Sequence, residues 1–298
     1  MATPQAAILK GPPEQARYLM FDIRAGATAP EDIRQILSQL SAEIDGITAA
    51  VGIGAPLVSY LDAEVPGLRS FPAWSGKGVT GVARQSCLWL WLRGSDQGEL
   101  MHRARRFCQL LAPVFIATDE VQAFKYKEGR DLTGYIDGTE NPTGQDAIST
   151  AIISNGNPDM EASSFVTAQR WLHNFSAFDA MSQSQKDDAI GRRLSDNEEF
   201  GDAPASAHVK RTAQESFDPE AFLLRRSMPW NMGGDSGLQF VAFAHTLDAF
   251  EVQWRRMLGL EDGVCDALFQ FSCAINGAHF WCPGIVQGRL NLKVLGVE

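Results

Sequence analysis

Apolar residues recur along the chain with two different periods, and the changes of period mark its elements. Arg17 to Ile23 reads as a strand that enters a helix at Pro30. Pro30 and Glu31 suit a helix first turn, since proline lacks a donor that would be unpaired there and an acid meets the positive end of the helix dipole. Ile33, Ile36, Leu37, Leu40 and Ile44 then follow at helical spacing. Ile47 to Ile53 is a second apolar run and predicts a strand. Residues 67–81 are rich in Gly, Pro and Ser and read as loop. Cys87-Leu88-Trp89-Leu90-Trp91-Leu92 is apolar on both faces, which predicts a central strand. A helix follows over roughly Glu99 to Leu111, with Leu100, Ala104, Phe107 and Leu111 on one stripe.

The second half repeats the plan. Ser164 to Trp171 predicts a strand, and a polar gap leads to a helical stretch from Met181 to Leu194. Leu238 to Ala244 predicts another strand, followed by a helix from Ala249 to Leu258. The segments LWLWLRGSDQGELMHRARRFCQLL and LQFVAFAHTLDAFEVQWRRMLGL share a strand, a short polar break and an amphipathic helix with paired arginines. Their identities are few, so the match is one of pattern. It predicts an α+β fold made by internal duplication: two ferredoxin-like β-α-β halves, each an antiparallel sheet with helices on one face, packed face to face in the manner of a dimeric α+β barrel. The competing expectation is a single irregular α+β domain. The halves divide as 1–130 and 131–298, with the join between Phe124 and Asn157. A pocket is favoured at such a junction.

Composition narrows the classes. The chain has 298 residues, 45% hydrophobic and 21% charged, which is globular rather than disordered. A net charge of −10 argues against a nucleic-acid partner, because phosphate binding wants a basic face. No apolar run is long enough for a membrane span, and Met1 to Gln15 lacks the pattern of a signal peptide. Cys87, Cys108, Cys265, Cys273 and Cys282 never form C-x-x-C, so they read as buried thiols in a reducing cytoplasm.

The candidate chemistry gathers around Gly134-Tyr135-Ile136-Asp137-Gly138-Thr139-Glu140-Asn141-Pro142. A carboxylate on a Gly-bracketed loop is well placed to face a ligand, although Asp137 could equally bond its own backbone in an Asx-turn. Among the five histidines, His102 and His173 read as surface positions, and His279 in Ala278-His279-Phe280-Trp281 reads as core. His208 ends a run of small residues, Gly201 to Ala207, and its spacing leaves a ligand role open without deciding it. In Leu224-Arg225-Arg226-Ser227-Met228-Pro229, strand alternation would put Arg225 and Ser227 on one face and Arg226 on the other, so one arginine enters a pocket. Gly234-Asp235-Ser236-Gly237 copies a serine-protease string but lacks every other part of such a site, and reads as a turn.

The loop GYIDGTENP resembles the signature loop of the dye-decolorising peroxidases, haem enzymes of bacteria and fungi, and the chain is most similar to their bacterial cytosolic subgroup. The resemblance extends from about Arg17 to Leu295. It implies the duplicated ferredoxin-like fold and a non-covalent haem b, since C-x-x-C-H is absent. It implies that His208, in its H-x-x-R context, is the axial iron ligand and that Asp266 bonds the other nitrogen of His208; read alone, Asp266 could be a helix-surface acid. Asp137, Arg225 and Ser227 become the peroxide-side residues, with Ser where many relatives have Asn. Arg226 would serve as an ion-pair or propionate partner. Leu268, Phe271, Phe280 and Trp281 would line the haem pocket or belong to ordinary core.

The activity implied is reduction of hydrogen peroxide and oxidation of dyes, phenols and other small aromatic reductants through a high-valent iron intermediate. Asp137 would move the proton and Arg225 would stabilise the departing oxygen. Tyr126, Tyr135, Trp171 and Trp254 are candidate electron relays. The alternative is a haem-binding or haem-handling protein with little turnover. Homo-oligomers are implied by the resemblance. The chain lacks the long tail by which some relatives enter protein shells, so the sequence does not support a shell partner.

Overall fold

The computed structural model describes residues 1–26 and 29–297. The first half runs β1 (Gln15–Ile23), α1 (Pro30–Glu43), β2 (Ala49–Ile53), β3 (Leu88–Gly94), α2 (Gln97–Leu111) and β4 (Phe115–Phe124). Its strands lie in the order β2-β3-β1-β4, all antiparallel. Strand β3 is central, as its two apolar faces require. Helix α2 begins where Asp96 caps it: its carboxylate accepts from the Glu99 N–H at 2.9 Å.

The second half contains α3 (Gly144–Ala151), β5 (Ser164–His173), α4 (Phe175–Ala180), α5 (Gln183–Ile190) and α6 (His208–Arg211). It continues with β6 (Leu224–Arg225), β7 (Met228–Met232), β8 (Asp235–Ala244), α7 (Asp248–Met257), β9 (Ser272–Ala274) and β10 (Ala278–Cys282). Here the strand order is β10-β5-β8-β7, again antiparallel. Strand-helix order and sheet order therefore repeat between the halves, which is the α+β duplication that the pattern predicts. The two sheets are joined at their edges by Trp281 opposite Ile53 and by Ala123 opposite Trp230. The result is a closed barrel, the α+β barrel type that the pattern predicts.

Side-chain alternation sorts the core into an inside and an outside. Tyr18, Met20, Trp89, Trp91, Val166, Ala168, Val241, Phe243, Ala278 and Phe280 fill the barrel interior. The intervening residues of the first sheet, such as Leu19, Phe21, Leu88, Leu90 and Leu92, pack outward beneath α1 and α2. In the second sheet Trp171, Leu238 and Phe240 pack outward toward α7. Helix α7 offers that layer Phe250, Trp254 and Met257, one stripe at helical spacing.

All five cysteines are free, but only Cys87 and Cys282 are buried; Cys273 is exposed at the end of the barrel sheet. The expectation of uniformly buried thiols fails because Cys273 lies on the short strand β9 at the rim, with a buried residue on either side of it. No helix among the described residues is long and apolar enough to cross a membrane.

Candidate active site

A cavity with about 930 Å³ of atom-free space lies on the outer face of the second sheet. Strand β5 contributes Gln169, Trp171 and His173, every second residue, and β8 contributes Leu238 and Phe240. Helix α7 closes one side with Phe250, Gln253 and Met257. The loop before α3 supplies Asp131, Thr133, Tyr135, Ile136 and Asp137. Leu268 and Phe271 complete an apolar lining around a few polar groups.

His208 is the first residue of α6 and enters this cavity. The run of small residues lets α6 sit close to its neighbours. At Gly191, φ is +90° and an added Cβ would stand 2.2 Å from Val209 Cγ2, so only glycine fits opposite this turn. His208 Nδ1 lies 2.7 Å from Asp266 Oδ2. The Asp266 side chain is fully buried, which sets aside the surface reading. Its other oxygen accepts from the Leu268 N–H at 2.8 Å, so the carboxylate is fixed at both ends. A buried carboxylate at Nδ1 makes that nitrogen the donor and leaves Nε2 as a lone-pair donor to a metal. Nε2 has no partner among the described residues.

Asp137, Arg225 and Leu238 line this cavity and also a second one that includes Tyr126, Arg130, Asn141 and Ser227. No ion pair joins Asp137 to Arg225. Arg225 Nε and Ser227 Oγ are buried and lack hydrogen-bond partners. Leaving such groups unpaired costs about 1–3 kcal/mol each, so a polar ligand is their natural complement. The chemistry of the lining, apolar walls with an unpartnered histidine nitrogen, suits an apolar cofactor carrying a metal ion, and the unpaired Arg225 and Ser227 atoms suit a small polar ligand.

Three expected positions fall elsewhere. Phe280 shares its parity with Ala278 and Cys282, so it turns into the barrel, where it stacks on Trp89 with ring centroids 6.2 Å apart. Trp281 points the other way, into the core beneath α1 and α2. Arg226 does not line either cavity. Its guanidinium donates to the Ile8, Leu9 and Arg225 carbonyls and so fastens the N-terminal segment over the barrel end. Burial, and then the nearby charge of Arg93, pushes its pKa down to about 10. Of the relay candidates, Tyr135 and Trp171 line the main cavity, Trp254 stands behind Trp171 at 6.0 Å, and Tyr126 lines the second cavity.

The sequence reading passed over His173. It is largely buried in the cavity wall, with Nε2 3.0 Å from Asp131 Oδ1 and Nδ1 2.7 Å from Ser272 Oγ. Burial alone would raise the Asp131 pKa, but His173 and Thr133 together hold it below the ordinary carboxylate range. The available signal was the place of Asp131 in the same Gly-rich loop as Asp137. Asn141 was also missed as a working residue, although it belongs to the quoted loop.

Fold and site together define a barrel of duplicated ferredoxin-like halves with an apolar-walled cavity that receives His208, itself backed by the buried Asp266. The family described as "Dyp-type peroxidase, C-terminal" matches residues 128–287. A dye-decolorizing peroxidase of Mycolicibacterium paratuberculosis is 33% identical, over 93% of this chain and 86% of its own length. Among solved structures, a dye-decolorizing protein from V. cholerae is 27% identical with a TM-score of 0.84, covering 97% of this chain and 98% of that one. A DypB variant of Rhodococcus jostii in complex with heme shares the fold with a TM-score of 0.86 at 24% identity, covering 97% of each chain. The chain belongs to the dye-decolorising peroxidase family.

Proposed function

We propose that this chain is a haem peroxidase that reduces hydrogen peroxide and oxidises dyes, phenols and similar small aromatic donors. The observation that carries the proposal is the His208–Asp266 pair, 2.7 Å apart, in the cavity that also receives Asp137 and Arg225. Bound haem supplies the redox centre that takes two electrons' worth of oxidation from peroxide and returns it to donors in single-electron steps. His208 holds the iron through Nε2, and Asp266 fixes the ring and makes it a stronger donor. Asp137 takes the proton from the near oxygen of peroxide and delivers it to the far one, general acid–base work worth roughly 10²–10⁴-fold. Arg225 stabilises charge on the departing oxygen, and Ser227 offers it a hydroxyl. Leu268 and Phe271, apolar side chains of the lining, would keep water away from the bound group. A cytoplasmic setting belongs to the same proposal and is supported by five cysteines that remain unpaired.

An absorption spectrum of the purified protein, before and after one equivalent of peroxide, tests this reading. A haem band that shifts at once supports it. A haem band indifferent to peroxide makes the chain a haem carrier instead. In His208→Ala the band should be lost or the ferric spectrum changed; a wild-type spectrum would move the ligand role to another histidine.

A further inference from the structure

We propose that Tyr135 is a redox-active residue of this site, which gives its electron to the peroxide-oxidised cofactor and its proton to Asp187, leaving a neutral phenoxyl radical. The inference rests on the peroxidase reading above, which supplies the oxidant. Tyr135 lines the same cavity as His208 and Asp137 and is 5% exposed. Its hydroxyl donates to Asp187 Oδ1, on α5, at 2.5 Å. Gln183 Nε2 donates to the same oxygen at 2.8 Å and to the tyrosine hydroxyl at 3.2 Å, and the Leu194 N–H adds a third bond to Oδ1 at 3.1 Å. The carboxylate is therefore held in place as an acceptor for the phenol proton.

This arrangement decides how the ring can be oxidised. Losing the electron alone would leave a cation in an apolar wall, which is costly. Losing the proton alone is also opposed, because burial first, and then the hydrogen bond and charge of Asp187, push the phenol pKa far up. Loss of both together leaves no charge on the ring. The phenolic O–H bond breaks, an O–H bond forms on Asp187, and one electron passes to the oxidised cofactor. A one-electron donor reverses the step, and Asp187 returns the proton. Asp187 is half-buried on a helix whose Gln183 is exposed, so the carboxyl lies near bulk water.

The other aromatic groups lining the two cavities lack this pairing among the described residues. Trp171 lines the cavity, but its Nε1–H donates to the Gln169 amide oxygen at 3.2 Å, a far weaker base than a carboxylate. Tyr126 lies in the second cavity with the Lys127 ammonium 5.2 Å from its ring centroid, and no carboxylate bonds its hydroxyl. Tyr18 is sealed in the barrel interior.

The test is freeze-quench electron paramagnetic resonance of the haem-loaded protein after one equivalent of peroxide, without donor, with the haem band followed in parallel. We expect an organic-radical signal that narrows when the protein is made with ring-deuterated tyrosine. Tyr135→Phe should lose that signal while its haem band still responds to peroxide, which also reports that the variant is folded and loaded. Asp187→Asn, which keeps the shape but removes the base, should lower the radical yield several-fold. A tyrosine signal that persists in Tyr135→Phe, or one insensitive to ring deuteration, overturns the proposal alone. An unchanged yield in Asp187→Asn overturns the proton partner. A wild-type haem band indifferent to peroxide overturns the peroxidase reading and this inference with it.

Discussion

Asn141 holds the main chain of Arg225 with both ends of its side-chain amide. Oδ1 accepts the Arg225 N–H at 2.8 Å, and Nδ2 donates to the Arg225 carbonyl at 3.1 Å. The pair copies the two bonds that a neighbouring antiparallel strand would make. The turn that aims the amide needs Gly138, whose φ is +78° and whose missing Cβ would stand 2.5 Å from Asn141 Nδ2. The loop bearing Asp137 and the strand bearing Arg225 are thus tied together in the wall of the second cavity. This tie relates two proposed roles that the sequence places far apart.

Asn141→Ala should loosen that tie. Losing two bonds to partly buried backbone should cost about 1–3 kcal/mol, read as a lower denaturation midpoint. Peroxide should also react more slowly, because Arg225 is less well placed. Asn141→Asp keeps the acceptor and loses the donor, so it should fall between. A stable Asn141→Ala with an unaltered peroxide rate would show that the strand alone positions Arg225.

Asp266→Asn should raise the iron reduction potential. The carboxylate 2.7 Å from His208 Nδ1 draws the proton and leaves Nε2 electron-rich, which favours the ferric state. A neutral amide withdraws that help. Spectroelectrochemistry reads the midpoint directly, and an unshifted midpoint would remove Asp266 from the electronic role while leaving it as a brace for the Leu268 turn.

Much of this was legible before any coordinates. Strand β3 announces itself by Leu88 to Leu92, and α2 and α7 by their stripes, because packing layers impose periods on the chain. The barrel type was expected, but the contacts that close it were not legible: they are single pairs such as Trp281 with Ile53, which no local pattern records. The same limit misplaced Phe280. Its neighbours are apolar on both faces of β10, so parity could not be read without knowing which face is the inside. Asp266 and His208 were nameable only through the family resemblance, since 58 residues separate them and neither sits in a periodic segment. His173 looked like a strand-end surface residue, and only the folded loop brings Asp131 to it.

The Asp131–His173 pair predicts an acid-sensitive contribution to stability. Asp131 has a depressed folded-state pKa, so its stabilisation is fully present above the unfolded carboxylate value of about 3.9 and is lost as pH falls through the folded value. Asp131→Asn should therefore lower the denaturation midpoint at neutral pH and narrow the gap to wild type in strongly acidic solution. Urea midpoints across that acid range would check it. A gap that stays constant with pH would assign the loss to packing rather than to charge.

Arg225 and Asp137 line one cavity without an ion pair between them, and this bears on how they divide the peroxide step. Arg225 is fixed by Asn141 and by pairing opposite Ala242 in the sheet. Asp137 is tied through its N–H to the Gly129 carbonyl at 3.1 Å, and its carboxylate stands on a loop between two glycines. A fixed cation aimed at developing negative charge needs no reorganisation, and removing one such group costs on the order of 10²–10³-fold in rate. A proton carrier is easier to replace, since water entering the adjoining cavity can shuttle the same proton. Arg225→Leu should therefore slow the peroxide-induced change of the haem band more than Asp137→Ala does. Stopped-flow mixing with peroxide at several concentrations separates binding from the later step. A nearly normal Arg225→Leu beside an inert Asp137→Ala would reverse the assignment and make the carboxylate the residue that water cannot replace.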